Sequence, residues 1–227
     1  PSITTSSIAS SNGTNTLAKS GDTITLTIVA DEAIASPTVA FQSGGANVAG
    51  AVTVAAGDDD DATTWSASYV VADADTDGAV TISITATDLA GNAAAAAHTT
   101  ISAGSVTVDT TDPAVQGLTH PDNPTNAPSV IFTSSKAASY KIMNGDTEVV
   151  GSTDIAASTA TTVNFPNDFA EGDYTGMTIN LTDAAGNTGS ATIDDFTVDK
   201  TAPSITTSSI ASSNGTNTLA KSGDTIT

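Results

Sequence analysis

The sequence VDTTDP at residues 108–113 divides the chain, and a close variant, VDKTAP, occurs at residues 198–203. Each hexapeptide joins the end of an alternating apolar run to an acidic residue and a proline. Proline cannot donate a hydrogen bond to a β-ladder, and it favours an extended residue before it. The two hexapeptides are therefore typical of a strand end followed by a change of domain.

An internal repeat extends this division. Residues 203–227 copy residues 1–25 letter for letter, which gives a period of 202 residues. We therefore predict domain 1 at residues 1–110, domain 2 at residues 111–201 and the start of a further repeat at residues 202–227. A repeated two-domain unit is typical of tandem arrays in which every added unit adds length.

The composition limits the partners that the chain can have. Its 227 residues include 25 acidic side chains and 5 basic ones, all of them lysine, for a formal charge of −20. Nucleic acid is an unsuitable partner, because phosphate binding needs clustered basic side chains. Cysteine is absent, which excludes disulfides and thiolate metal sites. No apolar run approaches the roughly 18 residues of a membrane span, so no membrane insertion is predicted.

Alternating apolar and polar residues dominate both predicted domains. Thr, Val and Ile fill the alternating runs, while Gly, Asn, Asp and Pro separate them at short intervals. Strands are expected near residues 2–9, 22–30, 38–42, 51–55, 64–71, 79–87 and 97–108, and near residues 114–119, 128–134, 139–143, 147–151, 160–165, 174–182 and 190–198. This pattern predicts an all-β chain of tandem seven-stranded immunoglobulin-like β-sandwiches.

Large apolar side chains within these strands are the expected core. The core candidates are Val39, Phe41, Trp65, Tyr69, Ile82 and Ile84 in domain 1, and Phe132, Tyr140, Ile142, Phe165, Tyr174, Ile179 and Leu181 in domain 2. Aromatic residues in strands most often serve packing, although a sugar-stacking role for Trp65 stays open.

Two similar strand-turn segments, TATDLAGN at residues 85–92 and NLTDAAGN at residues 180–187, each precede a strand that ends in VD and then Thr and Pro. Together with LAKSGDTITLTIVADEAI at residues 17–34 and DADTDG at residues 73–78, they resemble the bacterial immunoglobulin-like tandem repeats of giant calcium-dependent surface adhesins. The resemblance implies an extracellular spacer at the cell surface, with neighbouring repeats of the same chain as partners and Ca²⁺ as the cofactor between domains.

A calcium site is expected where domain 1 meets domain 2. In DADTDG, alternating Asp residues closed by Gly resemble the opening of a calcium loop. The twelfth position of an EF-hand would be Glu but is Ile84, which excludes the helical motif and requires ligands from other segments. The predicted ligands are Asp73, Asp75 and Asp77 in the loop, Asp109 and Asp112 in the linker, and Asp183 and Asn187 in domain 2. At an effective dielectric near 20, close carboxylates repel by about 1 kcal/mol or more per pair, so a cation would clamp this joint.

Calcium ligands are also predicted at the other two domain ends. The start of domain 1 offers Glu32, Asp88 and Asn92 beside Asp31, and the end of domain 2 offers Asp199 beside Asp168, Glu171 and Asp173. Structural alternatives are open at every position. DADTDG also suits a solvated turn, the two AGN turns suit hairpins closed by Asp and Asn, and residues 58–61 are expected to form a solvated acidic loop.

Two other classes of function differ from a spacer. Catalysis is not predicted, because His98 and His120 have no evident partners and no nucleophile elbow is present. A ligand-binding module is the alternative, since Thr-rich strands such as TITLT at residues 23–27 could present hydroxyl groups to glycans or to a surface. The segment 203–227 is expected to pack on a neighbour by strand exchange or self-association.

Overall fold

The computed structural model describes residues 1–57, 62–216 and 218–227, and the predicted acidic loop at residues 58–61 lies outside this part of the chain. Every helix or strand assigned within these ranges is a β-strand. The same ranges contain no helix that could cross a membrane. The prediction of an all-β chain is confirmed.

Domain 1 folds into two packed sheets. Its strands are β1 (Ile3–Ser10), β2 (Leu17–Ala18), β3 (Thr23–Ala30), β4 (Thr38–Ser43), β5 (Ala46–Asn47), β6 (Thr53–Ala56), β7 (Thr64–Val70), β8 (Gly78–Thr85) and β9 (Thr107–Val108). One sheet has the order β1-β3-β7-β6 and the other β2-β9-β8-β4-β5. This is the strand order of an immunoglobulin-like sandwich in which the first strand is split between the sheets.

Domain 2 repeats this plan with different edges. Its strands are β10 (Val115–Thr119), β11 (Ser129–Ser134), β12 (Ala138–Asn144), β13 (Thr147–Ile155), β14 (Thr161–Asn164), β15 (Gly172–Tyr174), β16 (Met177–Thr182), β17 (Thr188–Thr192) and β18 (Phe196–Val198). The sheets have the orders β10-β11-β14, β13-β12-β16-β17 and β15-β18. The long hairpin β12–β13 widens one sheet, and β14 forms an edge of another.

Each domain has its own apolar core, formed by the inward-facing residues of alternating strands. In β3 every second residue is buried, and Ile24, Leu26 and Ile28 are fully enclosed. The rings of Phe41 and Tyr69 pack with centroids 5.0 Å apart. The predicted core residues are buried, except that Trp65 and Tyr174 are half-buried at the margins of their cores.

The predicted last strand of domain 1 is shorter than the sequence suggests. Within residues 97–108 only Thr107–Val108 forms a strand, because the chain crosses to the opposite sheet at Ala103. There Ala103 N donates to Ser6 O and Ile8 N donates to Ala103 O. Gly104 permits the crossing with a φ of +77°, and a Cβ at this position would lie 2.2 Å from Ile8 O.

Short breaks also divide two predicted strands of domain 2. Gly176, with a φ of +67°, separates β15 from β16. Residues 193–195 separate β17 from β18, where Asp195 Oδ1 accepts from Gly176 N at 3.3 Å. The described part of each domain thus has nine assigned strands where the sequence predicts seven.

The described residues of the segment 203–227 form only part of the structure that residues 1–25 form in domain 1. The hydrogen bond from Asn12 Nδ2 to Asp22 Oδ2 (2.7 Å) recurs between Asn214 and Asp224 (3.1 Å). The β1–β3 ladder does not extend in the same way, since Ser212 and Ile226 form an isolated bridge. Ile210, the counterpart of buried Ile8, is 79% exposed. Packing of this segment on a neighbour therefore stays a prediction.

We expect the linker to require glycine at position 189 of β17. A Cβ on Gly189 would lie 1.8 Å from the carbonyl oxygen of Pro113. Gly189→Ala should therefore displace the linker and destabilise domain 2 by roughly 1–3 kcal/mol, as overpacking does elsewhere. Gly151→Ala in β13 is the matched control, because its Cβ would meet only the flexible Glu148 side chain at 3.3 Å. Calorimetric melting that shows equal effects of the two substitutions would contradict this account.

Candidate functional site at the domain joint

The DADTDG loop separates its three carboxylates instead of gathering them. Asp75 is 5% exposed and faces its own domain. Its Oδ1 accepts from Ala49 N at 2.7 Å and its Oδ2 accepts from Ala72 N at 3.0 Å. Asp73 is exposed. Asp75 therefore stabilises the loop as a buried cap on two backbone N–H groups.

Asp77, the third acidic residue of the loop, holds the linker. Its Oδ1 accepts from Thr110 N at 2.7 Å, and its Oδ2 accepts from Thr111 Oγ1 at 2.6 Å. Burial raises the pKa of Asp77, but the hydrogen bonds from Thr110 and Thr111 outweigh it and leave the pKa below its ordinary value. The following Gly78 has a φ of +141°, which favours glycine. We call this pairing of an acidic side chain with the linker the clasp.

Domain 2 contains the same clasp at its own end. Glu171 Oε1 accepts from Lys200 N at 2.6 Å and from Thr201 Oγ1 at 3.0 Å. Gly172 follows with a φ of +142°. The clasp is thus a common device of both domains, formed by Asp-Gly in one and Glu-Gly in the other.

The ammonium group of Lys136 lies at the centre of the joint. Lys136 Nζ donates to both oxygens of Asp109, at 2.5 and 2.7 Å, and to Thr111 O at 2.6 Å. It also donates to Asp183 Oδ2 at 2.9 Å. The Asp183 side chain is 2% exposed, while those of Lys136 and Asp109 are 25% and 26% exposed. One lysine of domain 2 therefore joins the linker to the turn between β16 and β17.

That turn is closed by its own side chains. Asp183 Oδ1 accepts from Ala185 N at 3.0 Å and from Asn187 N at 2.9 Å. Asn187 Nδ2 donates to Asp183 Oδ2 at 3.0 Å and to Asp109 O in the linker at 2.9 Å. The hairpin-closing role open to this turn is therefore present, and the same side chains also reach the linker.

The charges at the joint stabilise one another. Burial raises the pKa of Asp183, but the hydrogen bonds from Asn187 and Lys136 together lower it by more than burial raises it. The net pKa therefore lies below its ordinary value. Burial lowers the pKa of Lys136, but hydrogen bonds to Asp109 and Asp183 raise it more, so the net pKa lies above its ordinary value. The folded joint thus favours a cationic lysine between two anionic aspartates.

A second contact joins the domains beside the lysine. In the loop between β1 and β2, Asn12 Nδ2 donates to Asp22 Oδ2 at 2.7 Å and to Ala185 O of domain 2 at 2.9 Å. A Cβ on Gly186 would lie 3.5 Å from the Lys19 side chain. The domain 1 loop therefore rests on the same turn that holds Lys136.

The predicted calcium ligands at this joint are only partly brought together. Asp109, Asp183 and Asn187 converge, whereas Asp75 points into domain 1 and Asp112 is exposed. Within the described ranges, no group of three or more His, Cys, Asp or Glu side chains could hold a metal ion. The convergent oxygens already accept N–H groups of Lys136 and Asn187, so the donor set does not fit Ca²⁺ while the lysine is in place.

The acidic residues at the start of domain 1 bind local groups. Asp31 accepts from Ser2 N and Oγ, both at 2.7 Å. Glu32 Oε1 lies 2.9 Å from Pro1 N. Asp88 accepts from Asn92 N and Nδ2 at 2.8 and 2.7 Å, which closes the turn as in domain 2.

The remaining predicted ligand, Asp199, lies in the linker after domain 2. It is exposed, and its Oδ1 accepts from Thr201 N at 2.9 Å. Asp109 Oδ1 likewise accepts from Thr111 N, at 3.2 Å. The two linkers therefore present their first aspartate in the same local conformation, and calcium at Asp199 stays a prediction.

Both histidines have structural partners. Ser6 Oγ lies 3.3 Å from His98 Nε2, where the segment after β8 pairs with Ile84. His120 Nδ1 accepts from Asp194 N at 2.8 Å. These contacts connect neighbouring segments of each domain.

Sequence reasoning did not identify Lys136, Asn12 or the clasp role of Glu171 as parts of these joints. A signal for Lys136 was available, because it occupies the same place after β11 that Glu32 occupies after β3. Glu171-Gly172 is also the counterpart of Asp77-Gly78 before the following linker. A search for oxygen ligands alone passes over a lysine, which is usually exposed to solvent.

No protein-family model matches the chain, and no curated protein matches it. Among solved structures, the D00-D0 domain of intimin is 12% identical with a TM-score of 0.33, over 85% of this chain and all of that one. A titin fragment is 12% identical with a TM-score of 0.31, again over 85% and 100%. The mouse nectin-like molecule 4 ectodomain is 11% identical with a TM-score of 0.30, over 83% and 64%. We therefore assign the immunoglobulin-like fold from the strand order of the chain itself.

Asp183 should make the joint sensitive to acid. Its ionised form is favoured in the folded state, so its contribution is complete above the ordinary value of 3.8 and is lost as pH falls through the lowered pKa. The difference in melting temperature between the parent chain and Asp183→Asn should therefore be largest near neutral pH and shrink in acid. Asp88→Asn, in the equivalent turn without a lysine, is the control and should show a smaller difference at neutral pH. A difference independent of pH would contradict this assignment.

Asp75 should stabilise domain 1 without any metal. Asp75→Ala leaves Ala49 N and Ala72 N without their acceptor, and a buried unpaired group costs about 1–3 kcal/mol. We expect a lower melting temperature of domain 1 in the presence of a chelator, with little change for the exposed neighbour variant Asp73→Ala. If both substitutions matter only in the presence of calcium, the loop is a metal loop and not a structural one.

Proposed function

We propose that the chain is a spacer segment of a large repetitive bacterial adhesin or surface fibre, located outside the cell. The observation that carries the proposal is the linker at residues 108–113, which hydrogen-bonds to both domains. Asp77 holds it from domain 1, while Lys136 and Asn187 hold it from domain 2. A spacer needs joints of this kind, because a terminal ligand-binding region is kept at a distance only if consecutive domains keep a fixed orientation.

The repeated sequence supports the same proposal. Asp109 and Asp199 occupy equivalent places in two linkers, and the second linker leads into a copy of the start of domain 1. The neighbouring repeats are thus the main partners that we propose. Ile205 and Ile210, both exposed, match Ile3 and Ile8 of β1. We propose that they are covered by strand exchange with a neighbouring repeat or with another copy of the chain.

We propose that Ca²⁺ binds at those joints where the acidic side chains have no lysine between them. Asp31, Glu32 and Asp88 at the start of domain 1 are oxygen donors of the type that Ca²⁺ prefers. A linker aspartate such as Asp199, from a preceding domain 2, would complete the set. In such a joint the ion would offset the repulsion of the carboxylates and stiffen the linker.

Glycan or surface binding is the second candidate. The β1–β3 and β3–β7 registers place Thr25 between Ala9 and Ser68, and Thr27 between Ser7 and Ser66. Thr25 and Thr27 are exposed, so this sheet presents a face of hydroxyl groups. Inhibition of cell attachment by the chain, abolished in Thr25→Val and Thr27→Val, would favour this function over the spacer.

A tandem fusion of two copies of residues 1–202 tests the spacer function. Small-angle scattering should show that the maximum dimension increases with each added copy, because domains joined through held linkers extend the particle. The fused joint between domain 2 and the next domain 1 should become stiffer with Ca²⁺ than with a chelator. Glu32→Gln in the second copy is the control and should remove the calcium response. A compact particle in both conditions would contradict the spacer function.

A further inference from the structure

We propose that Lys136 is a built-in cation at the joint between domains 1 and 2, which closes this joint without a divalent metal ion. The established geometry is the convergence of Asp109, Thr111 O and Asp183 on one ammonium group. The resemblance to calcium-dependent adhesin repeats implies a metal between domains, but the residues at this joint do not fit one. At the centre of the joint, one residue takes the place that such an ion would have.

The two domains identify that residue by comparison. After β11, Ser135 Oγ accepts from Ala114 N at 2.8 Å, and after β3, Asp31 Oδ1 accepts from Ser2 N at 2.7 Å. In both domains the donor is the residue that follows proline. The next residue in the chain is Lys136 in domain 2 and Glu32 in domain 1. A positive side chain therefore stands in one domain where a negative one stands in the other.

The surroundings of the two side chains complete the comparison. Asp183 and Asp88 are equivalent members of the two turns, and each accepts from the asparagine four residues later. At Lys136 the local charges are one ammonium and the carboxylates of Asp109 and Asp183. In domain 1 the same positions hold only the carboxylates of Glu32 and Asp88. Only domain 2 thus supplies a cation at this position from its own side chain.

The geometry at Lys136 leaves no place for a second cation. Four oxygen atoms lie 2.5–2.9 Å from Nζ, and the Asp183 side chain is almost completely buried. Calcium needs six to eight oxygen ligands at about 2.3–2.6 Å. It would have to share Asp109 and Asp183 with an ammonium group that repels it. The lysine must therefore leave before a metal could bind.

The consequence for a tandem array rests on the proposed function. The linker at Asp199 repeats the local conformation of the linker at Asp109, but it leads into the sequence of domain 1. A complete domain of that sequence would bring a glutamate, not a lysine, to the joint. Joints closed by lysine would then alternate with joints that consist of carboxylates and respond to calcium.

Distance measurements across the joint test the inference in the whole chain. The chain has no cysteine, so Thr81→Cys in β8 and Thr162→Cys in β14 give unique spin-label sites on exposed positions of the two domains. The width of the distance distribution from pulsed electron paramagnetic resonance reports how firmly the joint is held. We expect a narrow distribution that is the same with Ca²⁺ and with a chelator. A distribution that narrows on adding Ca²⁺ overturns the inference without any substitution at the joint.

Substitutions of Lys136 give a second, independent result. Lys136→Met keeps most of the stem and removes the charge, so the distribution should broaden, whereas Lys136→Arg should keep it narrower than in the methionine variant. Lys141→Met is the matched control, because it removes an exposed lysine of the same domain that pairs with Glu148 at 2.7 Å. It should leave the distribution unchanged. A methionine variant as narrow as the parent chain overturns the inference.

The charge reversal Lys136→Glu gives domain 2 the residue type that domain 1 has at the equivalent position, Glu32. We expect a broad distribution in chelator that narrows when Ca²⁺ is added, and a narrow distribution of this variant in chelator contradicts the inference. Circular dichroism of each variant separates loss of the joint from loss of the fold. These measurements read one joint within one molecule, so their outcome is independent of whether the chain acts as a spacer.

Discussion

The structure of the joint depends on one positive charge among negative ones. In a chain with a formal charge of −20, domain ends that bring aspartates together would repel each other. Lys136 reverses this effect because its ammonium contacts Asp109 of the linker and Asp183 of domain 2 at once. Asp183 is almost completely buried, so water screens this attraction less than it would at an exposed ion pair. The positive charge of Lys136 therefore holds the linker and the turn together, although the chain as a whole is strongly negative.

The sandwich architecture makes this contact possible. The turn between β16 and β17 uses Asp183 and Asn187 to satisfy its own backbone, and the same side chains then face the linker. On the other side, Asp77 fixes the two threonines of the linker, which places Thr111 O toward Lys136. Turns that close the hairpins thus also form the surfaces between domains. Asp31 and Ser135 accept the backbone N–H that follows proline, and the next residues, Glu32 and Lys136, therefore occupy equivalent places with opposite charge.

Several parts of the joint follow from the sequence, and others do not. The linker, the two aspartate turns and the presence of acidic groups at the domain ends were predicted from residue types and spacing. The directions in which the aspartates of DADTDG point were not predicted, because these directions depend on hydrogen-bond partners far along the chain. Asp75 turns inward to Ala49 N and Asp77 outward to Thr110 N, although the two are separated by one residue. Lys136 was missed because a lysine is usually exposed to solvent, and its equivalence to Glu32 becomes evident only when the two domains are compared.

The duplicated segment, residues 1–25 and 203–227, separates structure that depends on nearby residues from structure that depends on distant ones. The loop that ends at Asp22 and its copy that ends at Asp224 share their described turn contacts, with Lys19 N and Lys221 N donating to these aspartates at 2.8 and 2.7 Å. The sequence by itself determined such turns and the alternation of the strands, because each needs only nearby residues. It did not determine the β1–β3 ladder, since Ile8 is buried in domain 1 while Ile210 is exposed. Ladders, cores and the Lys136 contact require partners distant in sequence, and only the tertiary structure brings those partners together.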